Sequence, residues 1–216
     1  MKKTKKFAFN LEQRPAREHE IKFVKENMIV ALRIRPLNNR ELEYSTIETV
    51  KIAEKNTVTV LDSIEFRGTE EVTKGRNREQ KYAFDFVFDK NVLQDEVYMN
   101  TTKFLLNGVV EGYNATVFAY GATGAGKTFT MVGSGDNPGV MVRSMSDLFS
   151  LVNQQVDKNF RIKISYLEIY NEAIRDLLDE NAVEIDMRED PSKGIMLVGL
   201  SEIFVTNASE VYKLLL

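Results

Sequence analysis

The chain has 216 residues, 43% hydrophobic and 28% charged, enough for one sizeable core, and its net charge of −3 argues against nucleic-acid binding by bulk electrostatics. It has no cysteine, which excludes a disulfide scaffold, a zinc finger and a thiol nucleophile; its single histidine, His19, argues against Ser-His-Asp chemistry and His-rich metal sites. No apolar run approaches the roughly 18 residues of a membrane span, and only Phe7-Ala8-Phe9 follows the basic start, too little for a signal peptide. The expected setting is a reducing cytoplasm, with neither nucleic acid nor membrane as partner.

Residues 1–27 are rich in lysine and lack a sustained period, so they read as a polar, disordered leader, and 28–216 as the folded part. Residues 28–35 form a short apolar strand that turns polar and stops at Pro36. Residues 49–52 and 57–61 suit a hairpin turning near Glu54-Lys55-Asn56, 70–80 an exposed charged loop, and the alternating aromatics of 82–88 a strand. Residues 94–111 carry helical spacing with Val97, Phe104, Leu105 and Val109 on one face. The continuous apolar run 116–120 suits a strand buried on both faces. A second amphipathic helix is expected at 141–156 and a strand at 161–170; Asn171 can then cap a short helix containing Ile174, Leu177 and Leu178. Residues 183–187 and 195–198 flank a Pro191/Gly194 turn, and a helix starts at Asn207. Alternating strands and helices predict an α/β fold with a mostly parallel central sheet flanked by helices.

Gly121-Ala122-Thr123-Gly124-Ala125-Gly126-Lys127-Thr128 fits G-x-x-x-x-G-K-[ST] without a mismatch. Glycines let consecutive N–H groups point inward around phosphate oxygens, and the following helix adds its positive N-terminal end. Lys127 is suited to the outer phosphates, and the Thr128 hydroxyl to magnesium. The motif follows an apolar strand and opens a helix, as that chemistry requires. It predicts ATP and Mg2+ as cofactors.

The flanks of this loop identify a family. Gly112-Tyr113-Asn114-Ala115-Thr116-Val117-Phe118-Ala119-Tyr120 before it and Phe129-Thr130-Met131 after it resemble the kinesin motor core. So do Leu32-Arg33-Ile34-Arg35-Pro36-Leu37-Asn38, the run 84–88, and Ser165-Tyr166-Leu167-Glu168-Ile169-Tyr170-Asn171-Glu172. These blocks keep family order from about residue 28 onward. Ala122, Ala125 and Gly126, with Arg188-Glu189-Asp190 before Lys193-Gly194, look most like the kinesin-8 group. The resemblance implies a P-loop NTPase of kinesin motor type that binds microtubules and moves along them. It also implies that Arg33, Arg35 and Pro36 line the adenine side, that Phe129 stacks near the base, and that Arg188 and Lys193 contact tubulin. The plain alternatives are a solvated strand end for the two arginines, core packing for Phe129 and a solvated turn for Arg188 and Lys193. Residues 134–139 match the variable loop that interrupts the helix after the phosphate loop, and Val142 stands where many kinesins have proline.

The family's two switch loops do not occur in 1–216: no two serines are adjacent, and no Asp-x-x-Gly follows an apolar strand. The expectation is therefore a truncated motor domain without its main microtubule-binding helix, with no catalytic residue assigned and with negligible turnover by itself. In the kinesin strand order, later strands lie between the one ending at Tyr120 and the one ending at Tyr170, so both would have open edges. A non-motor fragment that holds nucleotide or tubulin without cycling is the alternative. The flanking blocks exclude an unrelated P-loop enzyme. Oligomeric state, direction of travel and cargo are not encoded here.

Overall fold

The computed structural model describes residues 28–44, 48–61, 79–179, 181, 185–192 and 194–215. The leader 1–27, most of the charged loop expected at 70–80, and Lys193 lie outside the described residues. Strand β1 (Ala31–Arg33) is followed by helix α1 (Asn39–Glu43), and strands β2 (Val50–Glu54), β3 (Thr57–Leu61) and β4 (Glu79–Ala83) form an antiparallel meander around the buried Val58. The aromatic run expected as one strand is broken at Phe84-Asp85. Its second half, β5 (Phe86–Phe88), runs parallel to β1, with Ala31 opposite Phe86 and Arg33 opposite Phe88. Asp85 fixes this register: its N–H donates to the Val30 carbonyl (3.0 Å), and its carboxylate accepts the Val30 N–H (2.7 Å).

The helix expected at 94–111 is two, α2 (Gln94–Thr101) and α3 (Leu105–Val110). The break falls at two consecutive threonines. The Thr101 hydroxyl bonds the Val97 carbonyl, while the N–H groups of both Thr102 and Lys103 donate to the Tyr98 carbonyl, which ends the regular ladder. Helix α4 (Lys127–Met131) is followed by a miniature hairpin of β6 (Gly133–Ser134) and β7 (Asn137–Pro138), then by α5 (Val140–Asn153). The interruption expected at 134–139 is thus present.

Helix α5 is the wall shared by two cores. Val140, near its start, packs with Phe88, Val97, Tyr98 and Leu106. Phe149, further along, packs with Val205 and Val211, backed by Ile162, Ile164 and Met145. The second core is floored by β8 (Ile162–Ile164), paired antiparallel to β13 (Ile203–Val205), and closed by α6 (Ala208–Leu215). As expected, Asn207 starts α6: its side-chain Oδ1 accepts the Glu210 N–H at 3.0 Å.

The expected strand at 161–170 divides into β8 and β9 (Leu167–Tyr170), and the short helix expected after Asn171 is instead a strand, β10 (Ala173–Asp176). Asn171 is not a helix cap. Asn171 and Glu172 have φ of 49° and 67°, and Tyr170 stands opposite Ala173, so the pair forms a two-residue hairpin turn. Such turns need positive φ at both central positions, which asparagine tolerates better than most residues. The hairpin expected around Pro191 is present as β11 (Asp186–Asp190) and β12 (Gly194–Val198).

The run 116–120 is not a strand buried on both faces. It joins no ladder among the described residues, and Phe118 and Tyr120 are 75% and 96% exposed. Among the described residues, strand β9 pairs on one edge only, with β10. Parallel pairing is confined to β1 and β5 among the described residues; the other ladders are antiparallel. Among the described residues no helix is long and apolar enough to cross a membrane.

Two packing predictions follow from this arrangement. Phe149→Ala should destabilise the chain by about 3–5 kcal/mol, read from denaturant unfolding, because it empties the second core. Asp176 is buried, and its two oxygens accept the N–H groups of Leu178 (2.8 Å) and Ser201 (2.7 Å). Burial raises its pKa, but the hydrogen bonds from Ser201, Leu178 and Asp179 outweigh this, and the net shift is downward. The resulting stabilisation is present above the ordinary carboxylate pKa of about 3.9 and is lost as pH falls through the lower folded value. Asp176→Asn should therefore lower the melting temperature at neutral pH, with the gap to wild type closing in acid. A gap that does not change with pH would show that the carboxylate's charge is irrelevant.

Candidate functional site

The glycine-rich loop at 121–126 ends where α4 begins. Gly126, the residue preceding that helix, has φ of 92°, a left-handed conformation that costs a residue with a Cβ about 1–2 kcal/mol. The Thr130 N–H donates to the Gly126 carbonyl (3.0 Å), and the Ala125 N–H to the Ala122 carbonyl (3.1 Å), so the loop is a turn running into a helix. The Lys127 ammonium arches back across it and donates to the carbonyls of Gly121 (2.8 Å) and Ala122 (3.0 Å). The loop's exit is thereby strapped to its entry. Thr123, Gly124, Ala125 and Thr128 are exposed. Helix α4 is five residues long.

Arg35 lies beside this turn. The room in front of the Gly126 Cα is bounded by the Arg35 Cγ and Cδ, 3.8 and 3.7 Å from where a Cβ would stand. The guanidinium is anchored on the other side by Glu41 (2.5 Å) and by the Pro36 carbonyl (3.0 Å). Glu41 is itself fixed by a capping box: it accepts the Asn38 N–H (2.7 Å) while its own N–H donates to the Asn38 side chain (2.9 Å). The Arg35 hydrogen bond, then the Asn38 N–H, hold the Glu41 carboxyl below its usual pKa. Pro36 is exposed and offers this site only its carbonyl.

Arg33, two residues earlier and the last residue of β1, reaches α4 instead. Its guanidinium lies 5.1 Å from the centre of the Phe129 ring and donates to the Thr130 hydroxyl (3.1 Å), the Val92 carbonyl (3.5 Å) and the Gln94 side-chain oxygen (2.5 Å). Burial pulls its pKa below the ordinary value. Gln94, only 1% exposed, closes the circuit by donating its amide to the Phe129 carbonyl (2.5 Å).

Arg33, Arg35, Gly126 and Phe129 are thus gathered along one edge of the loop. Gln94 was missed by sequence reasoning, which used it only as a helix start. A signal was available: Gln94, Val97 and Tyr98 stand at i, i+3 and i+4, so a polar amide occupies an apolar stripe, and all three are buried. Arg188 is not at a loop tip. It sits in the middle of β11 opposite Met196, exposed, with its Nε donating to Asp186 (2.8 Å). Lys193 lies outside the described residues.

Residues 33–216 match the family model described as the kinesin motor domain. The chain is 44% identical over 194 residues to the kinesin-like protein KIF19 of Xenopus laevis, covering 88% of this chain and 19% of that protein. It is 42% identical over 190 residues to the kinesin-like protein KIN-8A of Oryza sativa subsp. japonica, covering 87% of this chain and 24% of the relative. The chain therefore spans about a fifth to a quarter of the length of these curated relatives. A solved structure described as a fast kinesin superposes with a TM-score of 0.76 at 32% identity, covering 87% of this chain and 51% of that one. With the family model matched over residues 33–216 and relatives of the KIF19 and KIN-8 type, the chain belongs to the kinesin motor domain family and sits with its kinesin-8 group.

Proposed function

We propose that this chain is the nucleotide-binding portion of an ATP-driven, microtubule-based motor of the cytoplasmic cytoskeleton. The observation that carries the reading is the Lys127 ammonium, held over a left-handed glycine turn by two neutral carbonyls. Neutral acceptors bind a cation less strongly than phosphate oxygens do, so an incoming triphosphate can take Lys127 over without breaking an ion pair. The donor set fits MgATP. Backbone N–H groups of 121–128 and Lys127 would hold the phosphates, and the exposed Thr128 hydroxyl would face the Mg2+. Arg35, the Pro36 carbonyl, Phe129 and Arg33 would border the base.

MgATP, when bound, supplies the phosphoanhydride bond whose hydrolysis powers such motors. The residues assigned here bind and orient; none is assigned to activating water. The proposed partner surface for the acidic microtubule is the β11–β12 hairpin, with Arg188 and Lys193 as its cations. Arg188 is half-engaged by Asp186, an exposed pair of the kind worth about 0–1 kcal/mol, so it can exchange that partner for an acidic surface.

Lys127→Ala should weaken MgATP binding by about 10- to 100-fold, the loss expected when a charge-assisted hydrogen bond is removed. Calorimetric titration of residues 1–216 measures this, and equal affinity in the two proteins would sink the nucleotide assignment. Arg188→Ala combined with Lys193→Ala should reduce co-sedimentation with microtubules at low salt, and Asp186→Ala should increase it by freeing Arg188. Both effects should shrink at physiological ionic strength, where the Debye length is about 8 Å. Binding indifferent to all three substitutions would leave the hairpin a solvated turn.

A further inference from the structure

We propose that Gln94 is the positioning residue of the base side of the nucleotide site, holding Arg33 and Phe129 so that the ring presents one open face to a flat heterocycle. The assignment rests on the nucleotide reading above and adds to it a residue that touches no ligand.

Gln94 is 1% exposed and makes two hydrogen bonds of 2.5 Å, accepting from the Arg33 guanidinium and donating to the Phe129 carbonyl. A buried amide has to satisfy both of its ends, because an unpaired polar group is costly in an apolar setting. Here the two ends are complementary to their partners in only one orientation. Turned over, the amide would set N–H against a guanidinium and oxygen against a carbonyl. Gln94 therefore reads the direction of both partners and locks them together.

Its partners are the groups that form the edge of the site. Phe129 is 41% exposed, and the Arg33 guanidinium lies 5.1 Å from the centre of its ring. One side of the ring is thus engaged by a cation while a large part of it faces outward, the arrangement in which an aromatic can stack on a second flat system. Two residues further on, past the end of β1, Arg35 borders Gly126 of the phosphate loop. The edge is consequently continuous from the loop to the ring, and its far end is set by Gln94. The amide comes from the first turn of α2 and the ring from α4, so the contact also fixes the distance between these two helices. The four groups that Arg33 meets, at Gln94, Thr130, Val92 and Phe129, are all neutral. None of them competes with a ligand through net charge.

Two ligands separate the base from the phosphates: MgATP and magnesium tripolyphosphate, which has the phosphate chain without base or ribose. In Gln94→Leu, similar in size but unable to hydrogen-bond, MgATP affinity should fall about tenfold, with tripolyphosphate affinity within about twofold of wild type. Gln94→Glu keeps an oxygen for Arg33 but sets its other oxygen against the Phe129 carbonyl, so it should recover part of the ATP affinity lost in the leucine protein, which a simple packing defect would not allow. Should the leucine protein fail to fold, Gln94→Asn, one methylene too short to span both partners, gives the same comparison. Equal losses for both ligands, or unchanged ATP affinity, would overturn the positioning role while leaving the phosphate loop's role intact. A wild-type chain that binds neither ligand would overturn both.

Discussion

A guanidinium taken out of water must find acceptors or lose its place, and Arg33 finds them on two separate pieces of chain: the Val92 carbonyl and Gln94 side chain at the start of α2, and the Thr130 hydroxyl of α4. That requirement joins β1, the start of α2 and α4 at one point. Gly126 immediately precedes α4, so whatever fixes the helix also fixes the glycine-rich loop. The upstream side gives less support. Residues 116–120 lead into the loop without a ladder partner among the described residues. The loop is therefore positioned chiefly from its helical side, by Arg33 through α4 and by Arg35 against Gly126.

The shared wall of α5 extends this anchoring. Val140 ties its first turn to Phe88, the last residue of the strand beside β1, while Phe149 ties its far half to β13 and α6. Tyr98 adds a polar tie: its hydroxyl donates to the Asp147 carboxylate at 2.7 Å, and burial followed by that bond pushes the phenol's pKa well above its usual value. The strand supporting the arginines and the helix that follows the loop's insert thus belong to one core. The β11–β12 hairpin contributes no residue to either core.

What could be read from the chain, and what could not, follows the physics of each segment. The glycine turn leading into α4 was legible because its glycines have a local reason to be there, and the α5 and α6 helices because their apolar stripes are long. The α2–α3 break was hidden because Thr101 and Thr102 do not forbid helix; only their hydroxyls and the doubly bonded Tyr98 carbonyl end it. The turn at Asn171 was misread because asparagine serves equally as a helix cap and as a left-handed turn residue, and pairing between β9 and β10 decides the matter. Burial of 116–120 was inferred from hydropathy, yet a strand is covered only when other strands lie beside it. The role of Gln94 depends on Arg33, 61 residues earlier, and Phe129, 35 later, a separation no local pattern reports.

The small hairpin between α4 and α5 has a consequence for variation in length. Its base is closed tightly: the Gly139 N–H donates to the Val132 carbonyl at 2.8 Å, and a Cβ on Gly133 would come within 2.3 Å of the Asn137 carbonyl oxygen. Its tip at Gly135-Asp136 is exposed. Because the two helices are registered by the clasp at the base, residues added at the tip change neither the start of α5 nor the end of α4. Lengthening such a closed loop costs only about 0.6 kcal/mol per doubling. This is the place where relatives can drift in size without disturbing the nucleotide edge, and where a reporter peptide can be spliced with least effect on the two helices.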